Sequence, residues 1–443
     1  MNHLTTQNAA PAALAVPADK TMNIESLHTI FLSSAGVNTD TRTIAPGQLF
    51  FALKGENFDG NAFAIQALEA GACYAVVNNT VKEEDPRLIK VEDTLETLKE
   101  LAAYHRSQLD IPVIGLTGTN GKTTTKELIS TVLAAKYKVV ATVGNLNNEI
   151  GVPLSVLKIG HDAEIAVIEM GASHPEDLRP LLAVSQPSHG LITNVGKAHL
   201  EGFGSYEGVM HAKGLLYDYL KEHEGIAFAN ADDPVLQGML WDRELRCIAY
   251  GLDGVEVLPS SAANPFLRMK WADGRTLETH LVGAYNATNV LAALKIGWFF
   301  GVHEADAFKA VESYVPSNNR SQLMRTERNT LIVDAYNANP SSMAVALDNL
   351  ALCEGPRIAL LGDMRELGAD SQTEHRKVVA RLNGQEAILV GSEFAKAAEG
   401  TGIPVFETSD ALAAWLQEHP LSGYTVLVKG SRGTRMEKVI AAL

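Results

Sequence analysis

Val113-Ile114-Gly115-Leu116-Thr117-Gly118-Thr119-Asn120-Gly121-Lys122-Thr123-Thr124 is an apolar run that breaks into a Gly-rich turn and then into helix-forming residues. A strand, a tight loop and a helix in that order set successive backbone N–H groups around one point, where the aligned amides of the helix start favour anionic oxygen. Gly118 and Gly121 remove Cβ obstruction, Lys122 adds a mobile point charge, and the Thr123 hydroxyl is suited to a Mg²⁺ that bridges two phosphates. The general phosphate-loop pattern has Gly where Leu116 stands, flanked here by Gly115 and Gly118. Even with that departure the stretch is the strongest local signal in the chain, and it predicts an α/β domain that grips a triphosphate.

The surrounding pattern agrees. Strands are expected at 139–141, 165–168, 191–193, 226–228 and 247–249, mostly with helices between them, as in a largely parallel sheet covered on both faces. Residues 255–282 alternate in short steps and predict a β-rich excursion, with a helix from 284 to about 298. After 315–317 the α/β pattern resumes: strands at 331–333, 358–361, 387–390 and 426–428, helices around 342–352, 373–380 and 411–418, together a smaller doubly wound domain. Upstream, a helix near 24–35, a strand within 48–53, a helix at 61–70 and a strand through 75–77 make a small α/β unit. The expected division is a flexible N-terminal extension at 1–21 and domains at 22–110, 111–315 and 316–443. Several domains suit 443 residues, because single cores stop growing at roughly 250 to 300.

Composition narrows the partners. A chain 46% hydrophobic and 20% charged is an ordinary folded protein. Its 52 acidic and 37 basic side chains leave a formal charge of -15, which repels nucleic acid, and no dense Lys/Arg run reverses that. Cys73, Cys247 and Cys353 are too scattered for a disulfide framework or a thiolate metal site and read as small core hydrophobes in a reducing compartment. The first twenty residues lack the basic start and apolar run of a secretory signal, and no segment approaches the roughly 20 apolar residues of a membrane span, so a cytoplasmic protein without membrane insertion is expected.

Two further strand ends carry chemistry. The strand 165–168 ends in Glu169, and the strand near 191–193 runs into Asn194-Val195-Gly196-Lys197-Ala198-His199. Carboxylate and imidazole at the same sheet edge as the phosphate loop suit a divalent cation shared with Thr123. Lys213, on an amphipathic helix, reads by pattern as a surface residue, unless conversion to a carbamate turns it into an oxygen ligand. Lys54-Gly55-Glu56 reads as a turn, 144–151 as a Gly/Asn-rich loop, and Asn286 as either a helix cap or a base-edge contact.

These separated stretches together resemble the Mur ligase family over almost the whole chain after about residue 22. The resemblance implies a three-domain α/β architecture, with a central P-loop ATPase-like domain of parallel or mixed sheet and a C-terminal Rossmann-like domain. Thr117 to Thr125 is similar to the family ATP loop, including the absent first Gly, so Gly118, Thr119, Asn120, Gly121, Lys122, Thr123 and Thr124 are expected to hold ATP. In the first domain Asp40, Thr41 and Arg42, with Lys54, Gly55 and Glu56, resemble the segment that holds the UDP end of a substrate. Asn145, Asn147 and Asn148 fall where the muramoyl-peptide portion is met. Thr123, Glu169 and His199 match magnesium ligands, two Mg²⁺ being implied, and Lys213 stands where many members carry a carbamylated lysine. Asn286 and Asn289 match residues near adenine, Arg320 the arginine that reaches ATP phosphates, and Asp334 the aspartate of the ribose region. Asn318-Asn319 replaces the more usual Gly before Arg320. Tyr336, Asn337 and Asn339 lie in a run, Asn337-Ala338-Asn339-Pro340, that resembles the dipeptide-adding branch of the family, and 361–368 and 428–432 extend the match.

The reaction so implied joins D-alanyl-D-alanine to UDP-N-acetylmuramoyl-tripeptide through an acyl phosphate, with Lys122, Glu169, His199, Lys213 and Arg320 as the catalytic set. Such a site can be complete in a monomer. The third residue of the tripeptide, a diamino acid or lysine, is left open. Two rival readings are an amino-acid-adding sibling and a binding protein that holds ATP and a UDP-sugar peptide without joining anything.

Overall fold

The strand Val113–Thr117 is buried along its whole length. Ile114 and Leu116 join Leu128, Ile129, Val132 and Leu133 on one face, and Val113 joins Val152, Ile168 and Leu181 on the other. Cover on both faces is why this strand reads as an unbroken apolar run. The computed structural model describes residues 22–259, 265–316, 320 and 322–443; the extension expected at 1–21 and the Asn318-Asn319 departure lie outside the described residues.

Six parallel strands form the central sheet, in the order Cys247–Tyr250, Ile226–Asn230, His189–Ile192, Val113–Thr117, Ile165–Glu169, Val139–Ala141. The chain enters mid-sheet, runs to the Val139–Ala141 edge, returns through Ile165–Glu169 and then crosses to His189–Ile192. The carboxyl ends of those three central strands therefore surround the switch point where such sheets bind ligands. The helix Asn286–Phe299 packs against Lys122–Ala134 on one face. The β-rich excursion is a three-stranded antiparallel sheet, Val255–Leu258, Phe266–Trp271 and Thr276–Val282, whose Leu267, Met269, Leu277 and Leu281 extend the same core.

In the third domain an antiparallel edge strand, Gln322–Arg325, precedes the parallel order Thr330–Asp334, Thr425–Lys429, Arg357–Gly362, Ala387–Val390, Val405–Phe406. Separate apolar clusters on its two faces, one around Leu361 and Leu389 and the other around Leu360 and Val428, are what a doubly wound sheet needs.

The first unit holds four parallel strands, Val37–Asn38, Leu49–Phe51, Tyr74–Asn78 and Leu88–Val91. Its second strand is shorter than the expected 48–53. The Leu53 carbonyl accepts from Gly60 N–H, and the intervening residues turn through the exposed hairpin Lys54–Gly55 and Phe58–Asp59, where only a turn was expected. An element absent from the expectations, the helix Thr94–Ser107, starts where Asp93 accepts from the N–H groups of Leu95 and Glu96. It carries the core past residue 110: Leu27, Leu98 and Leu101 belong to one cluster with Val152, Val156 and Leu178.

The polar part of this seam is buried as well. His28 Nε2 meets His105 Nδ1 at 3.0 Å, and His105 Nε2 donates to the Ile159 carbonyl at 2.8 Å. Arg106 donates to the carbonyls of Ser185, Leu109, Ile111 and Gln186. Burial, then the neighbouring His105 and His161, lower the pKa of His28; burial lowers that of His105 against the opposing pull of the Ile159 carbonyl. Because the folded-state values lie below the ordinary imidazole value of about 6.5, the unfolded chain binds the extra protons, and the stability present above that pH is lost as pH falls through it. Melting temperature should therefore drop between about pH 7 and 5, and less steeply in His105→Gln than in the parent. Equal slopes would remove the histidines as the cause.

Candidate active site

The phosphate loop is shaped from the outside by the strand end beside it. Gly118 has φ +145°, and a Cβ there would lie 1.9 Å from Thr193 Oγ1; at Gly121, φ +79°, a Cβ would meet Asn289 Oδ1 at 2.9 Å. Thr119 N–H donates to the Asn194 carbonyl and Asn120 N–H to Asn194 Oδ1, both at 3.0 Å, while Thr193 Oγ1 and Asn194 Nδ2 donate to the Asn120 carbonyl. Gly121 caps the helix Lys122–Ala134 without a side-chain acceptor, which leaves its first amides to a ligand. Lys122 Nζ folds back onto the Gly118 and Thr119 carbonyls at 2.7 and 3.2 Å. Burial, and then the Arg320 charge, lower its pKa against the pull of Glu169.

Glu169, 1% exposed, is held from three sides. Thr123 Oγ1 lies 3.0 and 3.2 Å from its two oxygens, Asn147 Nδ2 donates to Oε1 at 2.8 Å, and Lys126 Nζ stands 4.0 Å from Oε2. A hydroxyl and a carboxylate in contact fit a hard cation that also takes phosphate oxygens, the usual manner in which Mg²⁺ is bound, and the His199 imidazole lines the same cleft. Among the described residues no group of three or more His, Cys, Asp or Glu side chains could hold a metal, so oxygen from the ligand or from a modified side chain is part of that fit. Lys213 is not on the surface, as its pattern predicts, but 3% exposed, with Nζ 5.6 Å from the Phe203 ring centroid. Burial and then the Lys122 charge bring its pKa down to about 7.

A cleft of about 960 Å³ opens above these groups. Its central-domain wall includes Thr119 to Lys122, Thr124, Asn145, Asn147, Asn148, Glu169, His199, Asn286 and Asn289; its third-domain wall includes Arg320, Asp334, Tyr336, Asn337 and Asn339. Asn339 Nδ2 crosses between the two to donate to Asn120 Oδ1 at 2.8 Å. The Arg320 guanidinium lies 3.7 Å from the Tyr336 ring centroid. Asp334 pairs with Lys429, which also donates to the Asn337 carbonyl. Asn286 does not cap its helix: its Nδ2 donates to the Val282 carbonyl, its Oδ1 accepts from Asn289, and Asn289 Oδ1 accepts from Thr125.

Gly118, Thr123 and Lys213 lie outside the cleft wall, Thr123 in contact with Glu169, which lines it. Asp40, Thr41, Arg42, Lys54, Gly55 and Glu56 are also outside it, on the first unit, where Arg42 Nη2 pairs with Asp40 at 2.6 Å. Sequence reading gives Lys126 no role and takes Lys429 only as part of the matching stretch 428–432. The spacing of Lys126, one helical turn after Lys122 on a buried helix, was the available signal for the first; the C-terminal end of a parallel strand was the signal for the second.

Three family profiles match the chain: Mur ligase family, catalytic domain, at residues 34–106; Mur ligase middle domain at 116–297; and Mur ligase, glutamate ligase domain, at 319–432. The chain is 33% identical over 435 residues to the UDP-N-acetylmuramoyl-tripeptide--D-alanyl-D-alanine ligase of Bacillus subtilis (strain 168), covering 92% of this chain and 93% of that one. Among solved structures it is similar to MurF from Acinetobacter baumannii, with 30% identity, 91% and 92% of the two chains covered and a TM-score of 0.81. It is also similar to the MurF ligase from Thermotoga maritima in complex with ADP, with 28% identity, 92% and 97% covered and a TM-score of 0.80.

Proposed function

This chain belongs to the Mur ligase family, and from that premise we propose that it joins D-alanyl-D-alanine to UDP-N-acetylmuramoyl-tripeptide while ATP is cleaved to ADP and phosphate. The observation that carries the reading is the shared cleft, in which the phosphate loop faces Arg320, Asp334 and Asn339 of the third domain. The activity printed for the Bacillus subtilis relative, and the ADP held by the Thermotoga maritima neighbour, support it.

The tripeptide's terminal carboxylate attacks the γ-phosphoryl group, giving an acyl phosphate and ADP; the dipeptide amine then attacks the carbonyl carbon, and phosphate leaves. Two anions must meet in the first step. Lys122 exchanges the loop carbonyls for phosphate oxygen, and Arg320 brings a second positive charge from the opposite wall. Asn145, Asn147 and Asn148 orient the peptide on the central side, and Asp40, Thr41, Arg42, Lys54, Gly55 and Glu56 hold the UDP end. Asn286 and Asn289 back the adenine side, and Asp334, poised by Lys429, serves the ribose. Tyr336, Asn337 and Asn339 line the third-domain approach of the dipeptide.

Thr123, Glu169 and His199 would hold Mg²⁺, which when bound neutralises phosphate charge. Lys213 adds an oxygen donor to that set as its carbamate. With a pKa near 7, much of its amine is uncharged at neutral pH; the nitrogen lone pair attacks CO₂ and the ammonium proton goes to solvent. Chain incubated with ¹³C-bicarbonate should show one carbamate carbon resonance that Lys213→Arg lacks, with activity at least about tenfold lower in the variant, the least expected when even a supporting partner of a metal site is lost. An identical spectrum for both chains would dismiss the modification.

The decisive experiment offers the chain ATP, Mg²⁺, D-alanyl-D-alanine and both the lysine and diaminopimelate forms of the UDP-tripeptide, with products weighed by mass spectrometry. ADP, phosphate and one UDP-pentapeptide should appear in equal amounts. Binding of all substrates with no amide product would overturn the proposal, and a product formed only with a single amino acid would move the chain to a sibling activity.

A further inference from the structure

The loop 363–368 of the third domain is held firmly at its base. Asp363 accepts from the N–H groups of Glu393 and Phe394 at 3.0 and 2.9 Å. Met364 N–H donates to Nε2 of the fully buried His375, whose Nδ1–H donates to the Ser371 carbonyl at 2.7 Å. Arg365 N–H donates to Ser431 Oγ at 2.9 Å. At the tip, the Glu366 carboxylate lies against Nδ1 of His199 in the central domain, and the Glu366 carbonyl accepts from Glu201 N–H. Both partners have left-handed backbone, φ +51° at His199 and +63° at Glu366. Non-glycine residues keep that conformation where their surroundings over-determine it, and such residues cluster at functional sites. Nothing in the phosphoryl transfer described above uses Glu366.

We propose that Glu366 is a positioning residue: the docked third domain supplies a carboxylate that accepts from His199 Nδ1–H, fixes the tautomer whose lone pair is on Nε2, and so readies the imidazole for the cation. A carboxylate behind a metal-binding imidazole is the arrangement that sets ring orientation and raises ligand basicity. Here the two groups sit on different domains, so cation affinity and domain docking depend on each other. The inference rests on the reading of His199 as a cation ligand.

Mn²⁺ titrated into the full-length chain with ADP, and followed by electron paramagnetic resonance, tests it without turnover. The relevant ion is the one whose binding His199→Ala removes. Glu366→Ala should weaken that ion about tenfold or more. Glu366→Gln, whose amide oxygen still accepts from Nδ1–H, should recover most of the affinity. Lys197→Ala, which breaks the neighbouring interdomain pair with Glu374 at 3.6 Å, should leave it within about twofold, well short of the loss of a positioning group. Unchanged Mn²⁺ affinity in Glu366→Ala overturns the proposal, as does an equal loss in Lys197→Ala, which would assign the effect to docking alone. If His199→Ala removes no Mn²⁺, the ligand reading of His199 falls first.

Discussion

Arg320→Ala is expected to lower turnover about 10³-fold or more, the scale set by other arginines that close on a transferring phosphoryl group, while the affinity for the UDP-tripeptide stays within about twofold, since no ground-state contact to that ligand is removed. Arg320 belongs to the third-domain wall, its guanidinium is stacked on Tyr336, and its charge is felt by Lys122 across the cleft. Leaving the Tyr336 face for developing phosphate charge gives up a cation–π contact worth about 0.5 to 2 kcal/mol. A charge-assisted bond in a site without water outweighs that, and only as the phosphoryl group moves. Steady-state rates with direct binding of the UDP-tripeptide separate the two quantities; equal losses in both would make Arg320 a binding residue.

Lys122→Ala should lower turnover by about 10² to 10³-fold, the loss seen when one preorganised donor to developing charge is removed. Its ammonium donates to the Gly118 and Thr119 carbonyls, so it is not an unpaired buried cation. Removing the side chain frees those carbonyls and leaves the loop otherwise intact, because the Asn194 and Thr193 contacts do not involve it. The melting temperature of the ligand-free variant should hence stay close to the parent's while its rate collapses. A large loss of stability would make Lys122 a loop brace first.

The strand, turn and helix of the phosphate loop were legible because they are contiguous in the chain, and 113–124 contains all three. The placement of Glu169 and His199 in the same cleft wall was legible for a related reason, since strand ends meet at a switch point whatever the rest of the fold does. Burial of Lys213 was not. Its helix, Tyr206–Glu222, is amphipathic by sequence, and only packing under Phe203 decides which face is covered. The helix Thr94–Ser107 does have a readable signature, Asp93 as N-cap before Leu95, Leu98 and Leu101. The stretch 361–368 extends the resemblance, but the pairing of Glu366 with His199 cannot be read from it, for two left-handed residues 167 positions apart leave no periodic trace.

The apolar seam around the helix Thr94–Ser107, with Arg106 spread over four carbonyls, locks the first unit to the central sheet and gives the enzyme a fixed ruler. Under the proposed reading, with the nucleotide-sugar end held on the first unit and the phosphates in the loop of the central sheet, reach selects the acceptor. A peptide one residue too long or too short puts its carboxyl group about 3.5 Å off target, farther than a nucleophile can miss and still react.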